Sequence, residues 1–154
     1  MAEAREIPLR HLPDPDWPVA APFWEGCRAG ELRVPRCRAC GRFVWYPSAV
    51  CPGCGGSDHP WTRVSGRGRV FTWVTVHRAF LPGFADRVPY VTALIELEED
   101  PRVRLATFLR DVPAGGPRLG MPVEVTFERV DDRLVLPAFR CVTPPRLTQN
   151  PHVG

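Results

Sequence analysis

Apolar residues in this chain come in short runs cut by glycine, proline and acidic turns, and none sustains a helical period over several turns. From Trp61 onward the runs recur regularly. Val70-Phe71-Thr72-Trp73-Val74-Thr75-Val76 is β-branched and aromatic throughout, and Gly66 and Gly68 lead into it. Tyr90–Leu97, Val103–Leu109, Val123–Phe127 and Leu134–Phe139 follow. They are separated by turn signals at Leu81-Pro82-Gly83, Glu98-Glu99-Asp100-Pro101, 113–120 and Asp131-Asp132. The pattern predicts a mainly β protein in which five short strands over 63–142 close a small antiparallel barrel of the OB type.

The first part of the chain reads differently. Pro8, Pro13, Pro15 and Pro18 interrupt residues 1–18, which predicts an extended arm. Over 19–30 a short helix is expected, with Pro22 in its first turn, Phe23 and Trp24 supplying bulk, and Gly30 as its stop. Residues 31–62 then carry two further strand candidates, Glu31–Arg36 and Phe43–Pro47. The tail, 143–154, contains Pro144, Pro145 and Pro151 and is expected to be extended.

On either side of the second candidate the cysteines change the picture. Cys37-Arg38-Ala39-Cys40-Gly41 and Cys51-Pro52-Gly53-Cys54-Gly55 are two Cys-x-x-Cys pairs at the spacing of a structural zinc site. Zn²⁺ accepts four thiolates tetrahedrally, and the glycine after each pair permits the tight turn that brings both sulfurs to one metal. The competing reading is a pair of disulfides, which chains of reducing compartments seldom keep. A four-thiolate shell is closed, so the expected Zn²⁺, one per chain, is structural. Cys27 and Cys141 fall outside the spacing. Cys27 reads as a small buried hydrophobe, and Cys141 ends a strand with no recognisable base beside it.

Composition narrows the chemistry further. All 20 basic side chains are arginine, which excludes lysine Schiff-base catalysis in this chain. No apolar run approaches the ~18 residues of a membrane span, and the polar opening Ala2-Glu3-Ala4-Arg5-Glu6 is no signal peptide. A cytoplasmic protein without a membrane partner is the expectation.

The ordered set Phe23-Trp24-Glu25-Gly26, the four-cysteine ribbon, Gly66-Arg67-Gly68, Val76-His77-Arg78, Gly120-Met121-Pro122-Val123 and Leu136-Pro137-Ala138-Phe139-Arg140 resembles the zinc-ribbon OB-fold proteins long labelled domain of unknown function 35. The resemblance runs from about Phe23 to Arg140. It implies an N-terminal helical piece, a rubredoxin-like zinc ribbon and an OB barrel, with Cys37, Cys40, Cys51 and Cys54 as the zinc ligands. It also implies an accessory role in acyl-CoA metabolism. Partners in this family include thiolase-superfamily large subunits, among them lipid-transfer-protein-like thiolases acting as steroid side-chain retro-aldolases, and the large subunit supplies the catalytic residues. On that basis the partner of this chain is a separate thiolase-like or aldolase polypeptide in a hetero-oligomer, and a coenzyme A thioester is the ligand of the complex.

Catalytic motifs do not emerge from the residues themselves. No Gly-x-Ser-x-Gly, His-Glu-x-x-His or phosphate-loop pattern is present. His77, in the expected barrel, is a residue type suited to acid–base work but has no evident partner, so a structural role is expected for it. His59 near the ribbon is superfluous beside four cysteines, and Glu96, Glu98, Glu99 and Asp100 read as a solvated hairpin end. The apolar connector from Phe80 to Tyr90 is the stronger candidate surface. His77, Arg78, Phe80, Leu81, Phe84 and Arg87 are therefore candidate contacts for CoA or a partner, and Phe23 and Trp24 of the helix are candidate partner contacts. Arg67 and Arg69 flank the region as candidate phosphate ligands or ordinary ion pairs. The rival function is single-stranded nucleic-acid binding, which both folds support elsewhere. A net charge of +3 with 17 acidic residues is modest for that task.

Overall fold

The computed structural model describes residues 12–80 and 82–142; the expected tail at 143–154, residues 1–11 of the expected arm and Leu81 lie outside them. Residues 12–18, assigned to the arm, are turned and not extended. The Asp14 carboxylate accepts the Asp16 N–H at 3.0 Å, and the Trp17 carbonyl accepts the N–H groups of Ala20 and Ala21. An acidic side chain beside proline folds the backbone back on itself locally.

Helix α1 (Ala21–Arg28) starts with proline in its first turn, as expected. It ends at Gly30, whose φ of 73° lets the Glu31 N–H reach the Gly26 carbonyl at 2.8 Å. Phe23 and Cys27 turn inward and are buried. Strand β1 (Arg33–Pro35) follows, and its partner is β2 (Trp61–Arg63), antiparallel. This corrects the expected strand at Phe43–Pro47: only Phe43 bridges to Arg36 there. The apolar residues of that stretch serve another purpose, since Trp45 donates its indole N–H across to the Arg104 carbonyl of the barrel at 3.0 Å. Proline at 47 also has no N–H to give a ladder.

The barrel is closed in the order β3-β4-β5-β7-β6, with β3 (Arg67–Val76), β4 (Tyr90–Leu97), β5 (Arg104–Arg110), β6 (Pro122–Arg129) and β7 (Val135–Cys141). All five expected strands are present, and β3 begins three residues before the sequence pattern marks it. Only β5 and β7 pair in parallel. Val70, Ile95, Leu97, Leu105, Val123 and Phe139 fill the interior. The core continues without a break into Phe23, Cys27, Leu32 and Val34, so helix, ribbon strand and barrel share one apolar interior. Arg28 reinforces this from outside by donating to the Arg133 carbonyl in the β6–β7 turn. No helix among the described residues is long and apolar enough to cross a membrane.

The acidic stretch at the end of β4 is only in part the solvated hairpin end expected: Glu98 and Glu99 are exposed, but the stretch is tied to arginines and backbone. Glu96 pairs with Arg104, Glu98 with Arg67, and Glu99 accepts the Ser65 N–H. Asp100 is buried and accepts hydrogen bonds from Nε, Nη2 and the backbone N–H of Arg102 at 2.7–3.0 Å. The Arg102 side chain, then desolvation working against it, then the Arg102 N–H leave the Asp100 carboxyl below its usual range. A depressed carboxyl contributes stability above its unfolded pKa and loses it as pH falls through the folded value. Asp100→Asn should therefore cost about 1–2 kcal/mol at neutral pH. The gap to the parent should close below about pH 4, as denaturant titrations across pH would measure.

The first glycine pair of the barrel has a steric origin. A Cβ on Gly68 would sit 2.5 Å from the Glu96 carbonyl oxygen and 2.7 Å from Ile95 Cγ2, where β3 crosses β4. Backbone cannot yield there as a side chain would. Gly68→Ala should lower stability by about 1–3 kcal/mol, visible as a reduced thermal midpoint with zinc content retained.

Candidate functional site

The two cysteine turns repeat one geometry. Gly41 N–H bonds back to the Cys37 carbonyl at 2.8 Å, and Gly55 N–H to the Cys51 carbonyl at 2.9 Å, with φ of 73° and 75° at the two glycines. The Cys37 and Cys51 N–H groups in turn reach the carbonyls of Arg42 and Gly56, both at 2.8 Å. Each turn thus holds a buried first cysteine and an exposed second one.

All four sulfurs lie within 4.8 Å of one another. Cys37 Sγ is 3.6 Å from Cys54 Sγ, and Cys40 Sγ is 3.7 Å from Cys51 Sγ. Disulfide sulfurs would stand ~2.05 Å apart. Tetrahedral Zn–S bonds of ~2.3 Å require about 3.8 Å between sulfurs, so the residues fit zinc and not cross-links. The Gly53 N–H, 3.4 Å from Cys51 Sγ, is the leading cause that draws the Cys51 thiol down to about 6, toward the thiolate a metal needs. His59 is no ligand: its ring nitrogens lie 3.2 and 2.8 Å from the Ser48 and Gly56 carbonyls and brace the second turn. Cys27 is also separate, and burial pushes its thiol up to about 12. Burial raises Cys141 as well. Neither is an activated nucleophile.

The other predicted site residues are not brought into one cluster. His77 and Arg78 are exposed beyond the end of β3, and Phe80 is 83% exposed. Phe84 turns back toward the barrel, its ring 5.5 Å from Tyr90 and 6.3 Å from Phe108. The exposed Arg87 guanidinium lies over that ring at 5.9 Å. Arg67 is paired with Glu98, and Arg69 donates to the Gly120 carbonyl. Phe23 is core, 6% exposed, which leaves Trp24 as the helix residue available to a partner.

Sequence reasoning missed an open groove of about 740 Å³. Its floor is the outer surface of the barrel sheet, including Val74, Leu94, Ala106 and Phe108, and its walls are Trp17 and Trp24 on one side and Trp45 and Tyr46 on the other. No charged side chain lines it. Of the lining residues, Trp17, Tyr46 and Val74 are each more than half exposed. The one available signal was that Leu94 in β4 and Ala106 and Phe108 in β5 place apolar residues at alternate positions to the buried Ala93, Ile95, Leu105 and Leu109, where a half-covered antiparallel strand would carry polar ones. Among the described residues, His77 has no hydrogen-bond or ion-pair partner, and no nucleophile sits beside a base.

Two family models match in succession, the ChsH2 rubredoxin-like zinc ribbon domain over residues 24–60 and the ChsH2 C-terminal OB-fold domain over 61–128. A Thermomonospora curvata protein named probable enoyl-CoA hydratase alpha subunit is 35% identical over 123 residues, 79% of this chain and 37% of that protein. The chain thus spans little more than a third of that relative's length. A Methanocaldococcus jannaschii DUF35 domain-containing scaffold protein is 36% identical over 99 residues, covering 63% of this chain and 67% of its own length. Among solved structures, a chain of the Ltp2–ChsH2(DUF35) aldolase superposes with a TM-score of 0.72 at 33% identity, over 80% of this chain and 94% of that one.

Metal analysis of protein purified without chelator should find about one zinc per chain. Cys40→Ser should lose that metal and unfold the ribbon, because zinc-binding free energy is folding free energy in so small a unit. Elemental analysis with hydrogen exchange on residues 36–56 measures both.

Proposed function

The chain belongs to the DUF35 family of zinc-ribbon and OB-fold proteins, and from that premise we propose that it is a non-catalytic accessory subunit of an acyl-CoA-handling complex, seated against a thiolase-superfamily large subunit. The observation that carries the reading is the division of labour in the molecule. Among the described residues the one metal-ligating cluster has the closed four-thiolate form that leaves no position for substrate, while the open groove is uncharged and aromatic. Surfaces of that composition are characteristic of the buried centre of protein interfaces, where tryptophan and tyrosine anchor. The relatives' names point the same way: an alpha subunit, a scaffold protein and a chain of an aldolase. Trp24 and the exposed Phe80 are the anchors for the large subunit. Arg78, two residues before Phe80, and Arg87, over the Phe84 ring, are the cations for CoA phosphates, at the edge of an acyl-CoA site formed jointly with a partner that acts as thiolase or aldolase. Nucleic-acid binding lacks this support, because a single-strand groove combines stacking aromatics with a cationic track and the aromatic groove has no charged lining.

The chain alone should turn over no acyl-CoA ester. Co-expressed with its large subunit, Trp24→Asp or Phe80→Asp should weaken assembly by about 2 kcal/mol, measured by titration calorimetry, with zinc content unchanged. His77→Ala should reduce the complex's rate by well under the ~10³-fold typical of a lost acid–base catalyst. Turnover by the isolated chain, or tight salt-sensitive binding of single-stranded oligonucleotides, would replace this reading.

A further inference from the structure

Strand β3 has two unlike halves. Arg67, Gly68 and Arg69 lie between β4 and β6, and the Val70 N–H and carbonyl are bonded to Met121 and Gly120 at 3.0 and 2.8 Å. The register then shifts between Val70 and Thr72. From Thr72 to Val76 the strand pairs with β4 alone, and among the described residues no backbone group takes its other side. An open strand side is a row of unpaired N–H and C=O groups, a template for one more strand. Proteins usually blunt such edges with proline, charge, shortness or a bulge in the exposed part. Thr72-Trp73-Val74-Thr75-Val76 has no proline and no charge, and its irregularity comes before the open stretch begins. Phe71, Thr72, Val74 and Thr75 are all exposed.

We infer that two copies of this chain join along the open half of β3, antiparallel about a twofold axis at Val74, so that their barrel sheets become continuous. A twofold contact must be self-complementary, and this edge is. The register sets Val74 against Val74, Trp73 against Thr75 and Thr72 against Val76, the β-branched and aromatic pairs that stabilise antiparallel ladders. No like charges meet, because the open stretch from Thr72 to Val76 carries no charged residue. A strand from an unrelated protein would have to supply a matching uncharged edge, whereas a second copy carries one already. The inference does not rest on the proposed function: Thr72, Trp73 and Val74 also line the groove, but the pairing is argued from the open backbone edge and leaves the anchors Trp24 and Phe80 outside the paired stretch.

Sedimentation equilibrium of the full zinc-loaded chain, from roughly 1 to 100 µM, tests it. The expected mass is twice the 17.3 kDa of one chain. Val74→Lys and Val74→Glu should each raise the dissociation constant about tenfold or more, because like charges then face one another across the axis. Mixed together, the two variants should dimerise again, a rescue that only a contact of residue 74 with itself produces. Zinc content and circular dichroism should not change, as Val74 is 60% exposed. Should either variant misfold, concentration-dependent hydrogen-exchange protection of the Thr72–Val76 amides in the parent protein decides. A monomer mass across the whole range, unchanged dimers in Val74→Lys, or amide exchange indifferent to concentration would overturn the proposal.

Discussion

Four sulfurs around one point hold the N-terminal third of this protein together. Apart from residues that merge with the barrel, the ribbon's own buried cluster is Cys37, Val44 and Cys51. Two of those three are metal ligands, so the ribbon's interior is its coordination sphere. Burying a single valine yields about 1.5–3 kcal/mol, far below the cost of ordering the residues between Cys37 and Gly56 at ~1–2 kcal/mol each. The metal closes that gap, and the paired turns, each with a left-handed glycine, set the sulfurs at the separation it needs.

What the metal stabilises is then fastened to the barrel by contacts of another kind. The Trp45 ring packs 5.4 Å from Phe23 while its N–H reaches the Arg104 carbonyl on β5. Val64 N–H bonds the Leu32 carbonyl where β2 leads into the barrel. Asp100 and Arg102 fix the β4–β5 turn beside the ribbon. Because the apolar core passes through all of these elements, the helix and the ribbon strand act as a lid on the barrel and not as separate beads.

The zinc ligands and the five barrel strands were legible because their signals are local: a two-residue spacing, or a run of β-branched and aromatic residues between turn formers. β2 is three residues long, too short for any periodicity to mark it, so Phe43–Pro47 looked the better strand. Its apolar residues are indeed used, but for docking, a purpose that composition cannot distinguish from pairing. Phe23 and Trp24 are neighbours in sequence with opposite fates, one core and one groove wall, because helix geometry separates their directions by about 100°. The acidic stretch misled for a similar reason: the arginines that neutralise it come from β3, β5 and the turn itself, and pairing across strands is invisible before the register is known. The groove gathers residues from the N-terminal turns, the helix, the ribbon and four strands, so no single stretch of sequence announces it.

That composite origin sets how the surface can be inherited. One wall belongs to the ribbon, one to the helix and its preceding turns, and the floor to the barrel. A lone barrel cut from this chain would keep its topology yet present a flat apolar sheet, and a lone ribbon would present two stranded aromatics. Recombination can therefore shuffle the pair as a single cassette, joined to other domains or left by itself, but it cannot trade the halves separately without erasing the groove.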